Sequence, residues 1–195
     1  VPTPEPEPEA PWRPTRQQVA AAADSTVPDV LAPGLHVLFV GINPGLYSGA
    51  VGHHFARPGN RFWKVLAGAG FTDRVLSPFQ EHELLARGCG ITNLVARATA
   101  TADRLSPEEL RRGVGRLASK VRRFRPWFVA FLGLGAYRTA LDRPAAAVGG
   151  QDEAFAGARV WLLPNPSGLN AHYQVPELVA AFRDLQDAIR AHPAL

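Results

Sequence analysis

The sequence predicts an α/β fold in which helices cover both faces of a parallel sheet. Two observations carry this. Three short β-rich apolar runs recur, LHVLFVG at 35–41, WFVAFLG at 127–133 and RVWLLP at 159–164. Runs that stay apolar throughout, rather than alternating, suit strands buried on both faces. The segments around them carry apolar residues at steps of three and four, the spacing of helices with one face to bury, so the chain reads as a three-layer sandwich.

The helices follow in order. Residues 60–70 place Phe62, Val65, Leu66 and Ala69 on one side. Ser77, Pro78 and Gln80 form a start signal for a helix at 78–87, with the serine as cap, proline in the first turn and a side chain able to reach back. Ser106, Pro107 and Glu109 repeat it ahead of a helix at 107–124, whose stripe is Leu110, Val114, Leu117, Val121 and Phe124. A last helix at 176–191 aligns Leu178, Val179, Phe182, Leu185 and Ile189.

A chain of 195 residues fits one domain, large enough to enclose a core without disulfides. Residues 1–14 alternate proline with glutamate and small residues, a composition that buries too little apolar surface to offset the entropy of ordering. They are expected to be a disordered tail, with 15–195 as the single domain. With Val1 first and no Met, the sequence is expected to be part of a longer product. Cys89 is the lone cysteine, so an internal disulfide is impossible, and its apolar neighbours point to a buried side chain. No apolar run approaches the roughly 18 residues of a membrane span, and the start lacks the basic-then-apolar order of a signal peptide. A soluble intracellular protein is the expectation. Net charge is +4, and the acidic residues at 5, 7 and 9 leave the remainder more basic still. That balance favours polyanionic partners, though many soluble proteins share it.

Two loops carry the chemistry. Both leave the C-terminal end of an expected strand, where open α/β sheets place ligands. The first is GINPGLYSGAVGHHFARPGNRFW at 41–63, the second LPNPSGLN at 163–170. Each has Asn-Pro followed by a small residue, which fixes a tight backbone path and holds the asparagine amide in place. Two such turns at two strand ends would face one cleft.

These loops resemble the signature motifs of the uracil-DNA glycosylase superfamily, in its mismatch-specific (Mug) and thymine-DNA glycosylase branch. NRFW and GITNLVARAT (90–99) stand in the same order and spacing, and the resemblance spans about residues 34–190. It implies a three-layer α/β/α sandwich around a four-stranded parallel sheet. It also implies a monofunctional enzyme of base excision repair that flips uracil or a related damaged pyrimidine out of mismatched double-stranded DNA and hydrolyses its N-glycosidic bond. The implied protein is a monomer acting in the cytoplasm of a bacterial-type cell on nucleoid DNA, with no cofactor and no membrane partner.

By that resemblance Asn43 holds the attacking water; an amide is no base at neutral pH, so it acts by positioning. Phe55 stacks on the flipped base. Ile42 and Gly45 belong to the backbone that reads the base edge, Tyr47 and Ser48 line the pocket, and Asn165 stands on its second side. Ser48 bonds a pyrimidine or a phosphate, or is an ordinary turn serine. Ser167, Gly168 and Leu169 resemble the wedge that fills the space the base has left. Two departures stand out. Ala171 occupies a position where family members commonly carry a basic residue. Ala96 occupies one that is usually acidic: either the chain relies on Asn43 alone, or an acidic residue has been replaced here, which is the preferred reading; the alternative function is a catalytically impaired mismatch binder.

Other features are less specific. His53 and His54 have no partners at metal-ligand spacing, so loop lining or a phosphate contact is the expectation. The basic run Arg111, Arg112, Arg116, Lys120, Arg122, Arg123 and Arg125 fits a phosphate-attracting face and a solvated helix face equally. Lys64 and Lys120 fall on expected helices as surface charges, which leaves no evident amine for a Schiff-base lyase.

Overall fold

Alternate residues of the first strand, β1 (Val37–Gly41), enter opposite cores. Val37 and Phe39 join one apolar cluster, Leu38 and Val40 the other, as the two-residue period of a strand requires. The computed structural model describes residues 12–193. Most of the expected tail at 1–14 therefore lies outside the described residues.

The sheet has five strands in the order β2-β1-β3-β5-β4. β2 (Cys89–Asn93), β3 (Phe128–Leu132) and β5 (Ala158–Leu163) run parallel to β1. The fifth strand, β4 (Gly149–Phe155), pairs antiparallel with β5 at the edge. A mixed five-stranded sheet thus replaces the four-stranded parallel one that the resemblance implies. The reason is local. GGQDEAF is mostly polar and largely exposed, so it lacks the apolar signature of a central strand. Its pairing follows from a tight hairpin in which Ala156 and Gly157 both take positive φ, 51° and 96°, the geometry that matches the twist of the flanking strands.

One face of the sheet is covered by α3 (Phe62–Gly68) and α6 (Val175–Arg190), the other by α4 (Pro107–Phe124) and α5 (Leu134–Leu141). α4 begins where its capping box places it: Ser106 Oγ accepts from the Glu109 N–H at 3.2 Å and Glu109 Oε2 accepts from the Ser106 N–H at 2.9 Å. The Ser77 and Gln80 box is also formed, but 78–87 is a 3-10 stretch broken at Gln80 instead of an α-helix. The described residues also form two short α-helices, α1 (Arg16–Ala21) and α2 (Leu46–Val51), and a 3-10 turn at Ala102–Arg104. No helix among the described residues is long and apolar enough to cross a membrane.

The four parallel strands end at Gly41, Asn93, Leu132 and Leu163 on one edge of the sheet. From β1 the chain moves outward to β2, then back past β1 to β3, so β1 and β3 flank the point where the winding reverses. Loops diverge there and leave a crevice between them.

Candidate active site

The loop after β1 does not leave the sheet at once. The Leu94 N–H donates to Gly41 O at 2.8 Å, Val95 to Ile42 O at 2.9 Å and Thr99 to Pro44 O at 3.1 Å, so residues 41–45 stay paired with the segment after β2. This pairing sets the Asn43 side chain. Its Nδ2 donates to Thr99 Oγ1 at 2.7 Å, Arg97 O at 3.0 Å and Pro44 O at 3.1 Å. With the nitrogen committed to the protein, Oδ1 is the end with acceptor capacity to spare.

Gly41 closes the floor. A Cβ there would collide with Asn93 Oδ1 and sit 3.4 Å from the Phe55 ring, so only glycine leaves the space between those two groups open.

Phe55 stacks on Phe62 with centroids 4.1 Å apart and planes at 29°, and its backbone takes the left-handed region at φ 52°. For a bulky residue that conformation costs about 1–2 kcal/mol, and hydrogen bonds on either side hold it. Glu81 Oε2 accepts from the His54 N–H at 2.9 Å, and Ser48 Oγ accepts from the Ala56 N–H at 3.0 Å. Glu81 is 2% exposed, and its other oxygen meets His53 Nδ1 at 2.8 Å. The His53-His54 pair is thus tied down by one buried carboxylate. His54 Nε2 lies 2.9 Å from Pro28 O, which can only accept, so Nε2 carries the hydrogen and Nδ1 accepts from Asn93 Nδ2 at 3.3 Å. Burial holds the His54 pKa below its ordinary value despite the opposing pull of Glu81. The imidazole is neutral at pH 7, and Asn93 is left with its carbonyl oxygen beside Gly41.

In the second loop, Asn165 Oδ1 accepts from the Ser167 N–H at 2.9 Å and Asn165 O from Asn170 Nδ2 at 2.9 Å. Leu169 stands at the tip, 65% exposed.

One cleft of about 150 Å³ gathers these groups. Ile42, Asn43, Gly45, Ser48 and Phe55 line it from the first loop; Asn165, Ser167 and Leu169 line it from the second. Gly168 borders the adjoining groove with Leu169. Tyr47 is half-buried on α2 and Ala96 is exposed after β2, and neither lines the cleft. Among the described residues, the lining contains no Asp, Glu or Lys. Lys120, expected as a surface charge, is instead half-buried: its ammonium meets Asp29 at 2.5 Å and Thr92 Oγ1 at 3.0 Å. Lys64 is exposed on α3. No cluster of three metal-ligating side chains occurs among the described residues.

Several functional groups escape sequence reasoning. Thr99 and Arg97 O reach Asn43 across more than fifty residues, and Glu81 reaches the histidines across more than twenty-five. Nothing local to any of them announces the contact.

The crevice at the strand ends thus gathers a fixed amide, a stacked aromatic and an exposed apolar tip. The model of the uracil DNA glycosylase superfamily matches residues 28–186, and the chain belongs to that family. Among solved structures, it is similar to the solution structure of a protein from Methanosarcina acetivorans provisionally assigned as a uracil DNA glycosylase. The TM-score is 0.56 at 20% identity, over 84% of this chain and 98% of that one. That likeness is one of fold.

Proposed function

We propose that the chain is a monofunctional glycosylase of the mismatch-specific branch, which excises uracil or a related pyrimidine from mismatched double-stranded DNA by hydrolysis. The observation that carries the reading is the Asn43 amide, held by three acceptors in a cleft that the Phe55 ring and Asn93 also line. A pyrimidine lying on Phe55 would present its N3–H to Asn93 Oδ1, whose orientation His54 fixes. Uracil and thymine carry that hydrogen and cytosine does not. A water accepted by Asn43 Oδ1 attacks the sugar carbon; the C–N bond breaks and its electron pair leaves with the base. The products are the free base, which takes up a proton, and an abasic site. Without a carboxylate or lysine in the lining, the protein lowers the barrier by positioning and by fixed dipoles. Slow turnover by water follows, with no covalent intermediate.

Exposed Ala96 and the carboxylate-free lining also support a second reading, a form that binds and flips but scarcely cuts. One assay separates them. Excess protein is mixed with a duplex bearing uracil opposite guanine, and both gel retardation and alkali-labile product are measured. Base release supports the enzyme, whereas retarded but intact DNA supports the binder. The same assay with Ala96→Asp asks whether an acid there raises the rate; no gain over a wild type that releases base means that Asn43 suffices.

A further inference from the structure

We propose that Arg61 is a positioning residue that sets the second loop in the shape from which Leu169 enters the duplex; the role of Leu169 rests on the glycosylase reading above. Arg61 directly precedes α3, whose first residue, Phe62, is fully buried. Its guanidinium reaches across to the other loop and donates to four backbone carbonyls: Tyr173 O at 2.6 Å, Ser167 O at 2.5 Å, Asn170 O at 3.0 Å and Pro166 O at 3.3 Å. The Arg61 N–H adds a bond to Pro166 O at 3.1 Å.

The acceptors bracket the tip without touching it. They lie on both sides of Gly168 and Leu169, so the guanidinium grips the base of the loop and leaves the leucine projecting. The two loops also meet closely, since a Cβ on Gly168 would lie 2.8 Å from Gly59 O. Every side-chain partner of Arg61 is a carbonyl oxygen, so the cation serves as a planar fork with fixed donor directions. Lysine, a point charge on a flexible stem, cannot span that set. The loop's own bonds are local: besides the two made by Asn165, the Asn170 N–H donates to Ser167 O at 3.0 Å, the Leu169 N–H to Ser167 Oγ at 3.3 Å and the His172 N–H to Asn170 Oδ1 at 3.1 Å. Without Arg61 the wedge would have to be ordered during each encounter.

The test compares the wild type with Arg61→Ala, Arg61→Lys, Leu169→Ala and the Arg61→Ala, Leu169→Ala double variant, each first checked for an unfolding transition. Single-turnover base release is measured on a fully paired flank duplex and on the same duplex with uracil in an unpaired bubble, where no stacking partner must be replaced. Amide hydrogen exchange of residues 165–173 is measured without DNA. Arg61→Ala is expected to lower the duplex rate by about 10- to 100-fold, the scale of a displaced positioning group, with a far smaller loss on the bubble. Arg61→Lys should not rescue it, and the double variant should lose little beyond Leu169→Ala, because both act through one wedge. Exchange should quicken in 165–173 and not elsewhere.

Equal losses on both substrates, additive losses in the double variant, or unchanged exchange would each overturn the proposal. A wild type that releases base from neither substrate sinks the glycosylase reading, and loop exchange then decides the Arg61 clamp by itself.

Discussion

Thr99 Oγ1 accepts a hydrogen bond from Asn43 Nδ2 at 2.7 Å while giving its own hydrogen to Thr101 O at 2.8 Å. The hydroxyl can therefore only accept, and the asparagine amide has one orientation. Asn43→Ala should cut base release by about 100-fold or more while DNA affinity changes only a few-fold, since in the function proposed above the group acts on the water and not on the duplex. Thr99→Val keeps the shape and removes the acceptor; a fall of about 10-fold in the single-turnover rate is expected. A rate unchanged by Thr99→Val would mean that the two carbonyl bonds orient Asn43 unaided.

Glu109 holds Arg97 from the first turn of α4, Nε to Oε1 at 2.6 Å and Nη2 to Oε2 at 3.1 Å. The carbonyl of the same Arg97 accepts from Asn43. The hydrogen bonding from the Arg97 guanidinium, helped by the Ser106 N–H, lowers the Glu109 pKa from 4.5 to about 2. Because the folded value lies below the unfolded one, the stabilisation is complete above pH 4.5 and fades as pH falls toward 2. Glu109→Gln should therefore be less stable than the wild type at neutral pH and match it near the acid end of that window. Denaturant midpoints across the range check this.

His54 titrates in a different window. Burial lowers its pKa from 6.5, so below that value the unfolded chain takes up a proton that the folded chain resists. Stability should fall as pH drops from 6.5 toward the lowered value, and the His54→Gln variant should show a flatter curve there. Parallel curves for the two proteins would place the acid sensitivity elsewhere.

Cys89 is buried on β2, and burial pushes its thiol up to about 12. Native protein at mildly alkaline pH should resist alkylation, and denatured protein should react at once, since the thiolate is the nucleophile. Mass spectrometry before and after denaturation provides the comparison.

What the sequence reveals and what it hides follow one rule, the distance over which each interaction acts. Ser106, Pro107 and Glu109 fix the start of α4 because a cap is made within four residues. The same grammar at Ser77 places a helical start correctly, yet the α-helix expected there is a 3-10 stretch kinked at Gln80. β4 goes unread because an edge strand need not be apolar. In the site, the Asn-Pro turns stand out by composition, and the residues they carry line one cleft. The groups that orient them do not stand out. Arg61 meets Ser167 across 106 residues, and Asn43 meets Thr99 across 56. Only the folded chain brings such pairs together. Lys120 is a like case, a helix-face cation in the sequence that reaches Asp29 and Thr92 through the fold.

The pairing of residues 41–45 with the stretch after β2 has a consequence for how this molecule can diverge. Asn43 is mounted on an extension of the sheet, and any shift there must be absorbed by the interior. The projecting leucine hangs from a loop at the periphery that is held largely by side-chain bonds. On the glycosylase reading proposed above, changes in how the duplex is opened are thus cheapest in the peripheral arm, while the Asn43 mount is the costlier part to alter.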